Sequence, residues 1–143
     1  MGEQASASNT KNRGDETEAK IIATLLEHGF TVSLPFGDND KYDLIVDDSG
    51  SLYRVQCKTA WQNKPNTIRF NTHSQTTRER TYHEETYHDE VDAFIIRYPE
   101  DDSIYWIDIQ NATSQKMELR FRAEIDHPSI NWAHEYTFEG EIT

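Results

Sequence analysis

The sequence predicts one domain of mixed α and β type, with a helix first and a sheet after it. Three observations carry that expectation: a helical-period apolar stripe between Asp15 and His28, a hairpin pattern from Lys41 to Ala60, and a second hairpin pattern from Val91 to Ile109. A chain of 143 residues with no transmembrane run and no signal-peptide pattern fits one soluble, cytoplasmic domain spanning residues 14–143.

Met1–Arg13 is polar and aperiodic, which predicts a disordered arm. In the helix that follows, Ala19, Ile22, Leu25 and Leu26 recur at helical spacing, Ile21 and Ala23 widen the apolar side, and Gly29 offers a left-handed stop. Asp15 and Glu18 also fit a capping box, so Glu18 has a purely structural reading. Phe30–Leu34 reads as a strand and Pro35–Asp40 as a turn.

The central hairpin comes next. Tyr42–Asp47 and Leu52–Thr59 are rich in β-branched and aromatic residues, and Asp48–Ser51 breaks between them. Strand alternation projects Gln56 and Lys58 together, and pairing Asp47 with Leu52 sets Asp43 across from Gln56 on the same face. A carboxylate, an amide oxygen and an ammonium group would then meet, a hard-oxygen set that suits Mg²⁺ or Mn²⁺. Cys57, the only cysteine, excludes an internal disulfide, fits a reducing interior and reads as a packed residue.

After Trp61 the chain turns polar through Gln62–Asn66, offers a short strand at Thr67–Asn71, and then runs hydrophilic and irregular from Thr72 to Glu90. That segment holds Arg78, Arg80, Tyr82 and His83, residue types that contact phosphates and stack on bases, among five acidic residues. A substrate-contacting loop and a solvated loop both remain open. Val91–Tyr98 and Ser103–Ile109 are strands about a Pro99–Asp102 turn, Met117–Phe121 is one more strand, and Ser129–Phe138 is a closing short helix.

Acidic residues outnumber basic ones 26 to 14, a net charge of -12. Either the chain avoids nucleic acid, or it works in high salt, where a well-hydrated acidic surface keeps proteins soluble. The acids are dispersed and Lys is scarce, which points to a halophilic protein. No Gly-rich phosphate loop, CxxC pair or GxSxG elbow occurs, and the histidines lack a helix-spaced zinc motif.

Glu18, Asp43, Gln56 and Lys58, in the phrases GDETEAKIIATLLEHGF, LPFGDNDKYDLIVDD and LYRVQCKTA, resemble the metal site of the PD-(D/E)xK nuclease superfamily. The wording is similar to the branch containing group I intron homing endonucleases and, more distantly, to archaeal Holliday-junction resolvases. The likeness is close over residues 14–61 and looser in VDAFIIRYPEDDSIYWIDI. Tyr42 stands where the pattern has Pro, and Gln56 replaces the usual acidic residue, as the homing-endonuclease branch tolerates.

The resemblance implies a restriction-endonuclease-like core, with the N-terminal helix, a mixed sheet and a flanking helix. It also implies metal-dependent hydrolysis of DNA phosphodiesters by a dimer or larger homo-oligomer. Asp43, Gln56 and the backbone carbonyl of Cys57 would hold Mg²⁺ or Mn²⁺, with Glu18 reaching in from the helix and Lys58 orienting the attacking water. Two other classes stay open: a non-catalytic nucleic-acid-binding or assembly subunit that keeps the fold, for which Gln56 is the warrant, and an acidic protein-interaction module, for which the net charge is.

Overall fold

The computed structural model describes residues 7–37, 41–72 and 90–142. A long helix, α1 (Ala7–Glu27), leads into β1 (Thr31–Ser33), β2 (Leu44–Asp48) and β3 (Ser51–Thr59). Then come β4 (Trp61–Lys64), β5 (Thr67–Asn71), β6 (Ala93–Tyr98), β7 (Ser103–Asp108) and β8 (Lys116–Arg120). The strands form a five-stranded sheet in the order β1-β2-β3-β6-β7 and a three-stranded sheet in the order β4-β5-β8. Among these described strands β3 and β6 pair in parallel and the other pairs are antiparallel.

The helix begins well before the expected Asp15 start, so residues 7–13, expected to be disordered, form its first turns. Asp15 therefore lies inside the helix and caps nothing, and the capping reading of Glu18 falls. Gly29 ends the element as expected, with φ 89°. The buried stripe is also rotated from the predicted one. Thr17, Ile21 and Leu25 are buried at i, i+4, i+8 spacing, whereas Ala19 and Leu26 face solvent. Apolar residues almost surround this stretch, and burying a threonine among them was a choice for the partner surface, not for the helix.

Two cores lie on the two faces of the five-stranded sheet. Ile21 and Leu25 pack on Leu44, Val46, Val55, Ala93 and Ile95. On the far face, Phe94, Ile96 and Ile107 meet Ile68, Phe70, Met117 and Leu119 of the smaller sheet. Fully burying a side chain of this size contributes ~1.5–3 kcal/mol, so the fold rests on these two layers.

The central hairpin has the predicted register, Asp47 opposite Leu52, and a tighter loop than expected. Ser49 and Gly50 alone form it, both at positive φ (54° and 103°), the geometry of a type I′ turn whose twist matches the strands. The strand β4, read as merely polar, is exposed along its whole length, so it carries no apolar alternation for a sequence reading to detect. Pro65 and Asn66 (φ 64°) turn the chain back into β5.

In place of a C-terminal helix, the tail has one 3-10 turn at Ala133–Glu135 between extended segments. The Arg120 N–H donates to the Asn131 carbonyl and the Trp106 N–H to the Tyr136 carbonyl, so the tail pairs with edge strands of both sheets. Covering such edges satisfies backbone groups that a helix would leave exposed. Among the described residues no helix is long and apolar enough to cross a membrane.

Candidate active site

The site forms where β2 stops pairing regularly with β3. The ladder runs to Leu44 opposite Val55. The Asp43 N–H then also goes to the Val55 carbonyl (2.8 Å) instead of moving on to Gln56. Two residues thus face one, as in a β-bulge, a device that re-aims a side chain. Asp43 and Gln56 are therefore not the ladder pair that simple alternation predicts. The Asp43 Oδ2 instead accepts the N–H of Cys57 at 2.7 Å, and Tyr42, expected on the Leu44 face, packs against the opposite core.

Gln56 turns its amide toward the same diverging segment. Its Nε2 donates to the Lys41 carbonyl at 3.0 Å, an acceptor that fixes which end of the amide is nitrogen. The Oε1 is left buried with no hydrogen-bond partner. A buried acceptor left unsatisfied costs ~1–3 kcal/mol, and such atoms in native folds commonly await a ligand.

Lys58, two residues along β3, extends with its ammonium 5.9 Å from the centre of the Phe94 ring. Burial lowers its pKa from the ordinary 10.5 to about 8, even though the Asp43 carboxylate pulls the other way. Burial likewise raises the Asp43 pKa, against the opposing pull of the Cys57 N–H and Lys58. Glu18 reaches the same neighbourhood from α1: burial first, then the Asp43 and Asp15 carboxylates, raise its pKa. The Cys57 thiol is pushed well above its ordinary value by burial and by Asp43 and Glu18, which suits a packed residue and not a nucleophile.

Glu18 on α1, Asp43 just before β2 and Lys58 on β3 thus share one electrostatic neighbourhood, and Gln56 lies two residues before Lys58 on β3. A divalent cation fits what they offer. Two carboxylates pushed up by burial, Glu18 also by the Asp43 charge, would be relieved by a cation, and the free Oε1 of Gln56 is the hard oxygen such an ion takes. Among the described residues no cluster of three His, Cys, Asp or Glu is present. Arg78, Arg80, Tyr82 and His83 lie outside the described residues.

Sequence reading missed four participants. Lys41 orients Gln56 through its backbone, which no side-chain pattern signals. Thr17 and Thr59 bond hydroxyl to hydroxyl at 2.7 Å between α1 and β3, and Arg97, only 4% exposed, donates to Thr17. Thr17 shares its spacing with Ile21 and Leu25, a trace that could have revealed it.

Comparison with known proteins agrees with this architecture. A solved bacterial homing endonuclease superposes with a TM-score of 0.65 at 21% identity, covering 96% of this chain and 88% of its own. That likeness shows the restriction-endonuclease-like fold expected from the sequence. The Holliday junction resolvase Hjc of Archaeoglobus fulgidus aligns at a TM-score of 0.47 and 10% identity, over 76% of this chain and 84% of its own. No curated protein matches. The sequence profile described as PD-(D/E)XK endonuclease matches residues 8–139, a span that runs from the first turn of α1 through both sheets to the tail. A match of that extent makes this chain a member of the PD-(D/E)XK endonuclease family.

Proposed function

We propose that the protein is a divalent-metal-dependent DNA endonuclease that hydrolyses phosphodiester bonds in a salt-rich cytoplasm. The observation that carries the reading is the buried, unpartnered Gln56 Oε1 on the strand whose Lys58 ammonium interacts with the Asp43 carboxylate, in a family of endonucleases. Asp43, Gln56 and the Cys57 carbonyl would hold Mg²⁺ or Mn²⁺, with Glu18 completing the set from α1. When bound, the ion supplies Lewis-acid polarisation of the phosphate and an acidified water. Lys58, half desolvated, holds that water in line and stabilises charge developing on the phosphoryl oxygens. Asp43 keeps its own orientation through the Cys57 N–H. Arg78, Arg80, Tyr82 and His83 would contact the DNA, and the double Arg78→Ala/Arg80→Ala variant should weaken DNA binding while leaving turnover of bound DNA intact. A duplex needs a cut in each strand, so the working form would be a homo-oligomer.

The test is cleavage of plasmid and of a four-way junction in molar KCl, with and without Mg²⁺ or Mn²⁺. Metal-dependent cleavage of plasmid supports a homing-type target, and preference for the junction supports a resolvase-type target. Intact DNA in every arm, with DNA still bound, would favour the second reading, a non-catalytic DNA-binding subunit. Gln56 is the specific observation behind that alternative, because an amide brings no charge to the metal set.

Gln56→Glu separates the two. The added charge should tighten Mg²⁺ binding about tenfold in a calorimetric titration. Unchanged affinity would remove Gln56 from the ligand set.

A further inference from the structure

Helix α1 brings Glu18 to the site from another layer of the fold, and burial of Ile21 and Leu25 is too undirected to place it. Apolar contact sets that the helix lies on the sheet, but it does not fix where along its axis, since the force depends on area and not on direction. Directional ties do: an exposed Lys20–Asp102 ion pair at 3.6 Å and, buried beside the site, a hydroxyl pair. The Thr17 Oγ1 and Thr59 Oγ1 lie 2.7 Å apart, and Thr17 is 1% exposed. Each is the sequence neighbour of a site residue: Glu18 follows Thr17, and Lys58 precedes Thr59.

The tie is itself anchored. The Arg97 Nη1 donates to the Thr17 Oγ1 at 3.4 Å, and either hydroxyl can donate in the Thr17–Thr59 bond. Arg97 is opposite Thr59 in the parallel pairing of β3 with β6, and its carbonyl accepts the N–H of Ala60 at 2.9 Å. Its guanidinium is held in turn by Asp102 at 2.8 and 2.9 Å and by Glu16, one residue before Thr17, at 3.7 Å. The helix, β3 and the β6–β7 turn thus converge on one hydroxyl pair.

We propose that the Thr17–Thr59 hydroxyl pair, seated on Arg97, is the positioning device of the site, setting Glu18 on α1 against Gln56 and Lys58 on β3. The proposal rests on the metal-dependent reading above. Neither threonine touches the ion or the DNA; both act through Glu18 and the β3 residues.

The test uses the full chain carrying Thr17→Val and Thr59→Val together. Valine keeps the shape, and replacing both partners of a hydrogen bond with apolar groups can be nearly neutral for stability. Mn²⁺ affinity, measured by calorimetry without DNA in molar KCl, should fall about tenfold. The Thr17→Ser/Thr59→Ser chain, which retains both hydroxyls, should regain it. In a Glu18→Ala background the valine pair should cost nothing further, because the ligand it positions is gone.

Native Mn²⁺ affinity in the valine pair would overturn the proposal, as would the same loss with and without Glu18→Ala. If the native chain binds Mn²⁺ in an Asp43-dependent way and only the valine pair behaves normally, this inference alone fails. Absence of Asp43-dependent Mn²⁺ binding in the native chain would sink the metal reading and this inference together.

Discussion

Asp43→Asn is expected to lose metal-dependent cleavage by about a thousandfold or more, since a charged ligand supports several kcal/mol of transition-state stabilisation. Its fold should survive. The asparagine Oδ1 still accepts the Cys57 N–H that now lies at 2.7 Å from the carboxylate. Asp43→Ala should also be inactive but should lose stability by ~1–3 kcal/mol, because it strands that N–H. Nicking assays with and without Mg²⁺, beside circular dichroism melts, check both. A cleaving Asp43→Asn chain, or a collapsed one, would count against the assignment.

The same carboxyl shifts set a pH dependence for the metal-free protein. Burial raises the Glu18 and Asp43 pKa values above 4.5 and 3.8, and the Asp43 and Asp15 charges add to the rise at Glu18, so the folded chain holds these protons more tightly than the unfolded one. Stability from this source falls as pH rises from the unfolded values through the raised folded ones. Asp43→Asn should flatten that decline, since it removes one carboxyl and relieves the other. Mg²⁺ should restore stability above the window in the native chain and not in the variant.

Lys58→Met is the second large effect. Removing a charge aimed at the reacting phosphate should lower turnover about 10²–10³-fold with DNA binding retained, and Lys58→Ala should behave alike without unfolding. Its stability signature has the opposite sign to that of the carboxylates. The folded pKa of Lys58 is depressed to about 8 from 10.5, so between those values the folded chain binds fewer protons than the unfolded one. Metal-free stability should therefore rise with pH across that window, by ~3 kcal/mol at most. Lys58→Met, which never charges, should not show the rise. A native melting temperature that is flat from pH 8 to 10.5 would show that Lys58 is better solvated than its place beside Phe94 indicates.

On the proposed function, a high-salt setting would let so acidic a chain act on a polyanion. Molar salt removes most of the counterion-release contribution to DNA binding, leaving affinity to local contacts. An acidic surface is then less of an obstacle to binding than it would be in dilute buffer.

Much of the site could be read from the chain because its pieces are local. Ser49 and Gly50 tolerate positive φ, and with the alternation of β2 and β3 they determine a register that puts Asp47 on Leu52. Gly29 ends α1 for the same backbone reason. The identities of Asp43, Gln56 and Lys58 and their neighbourhood in one hairpin follow from those short-range preferences.

The tertiary structure decided what spans distance. It bulged Asp43 off its alternation, because a carboxylate can replace a strand as the acceptor of the Cys57 N–H. It turned α1 so that a threonine, not Ala19 or Leu26, lies against the sheet, because Thr59 and Arg97 supply the hydrogen bonds that make burying it cheap. It also paired β3 in parallel with β6, across more than thirty intervening residues. Local backbone preference is written residue by residue. Which distant surface satisfies a buried group is settled only when all the surfaces meet.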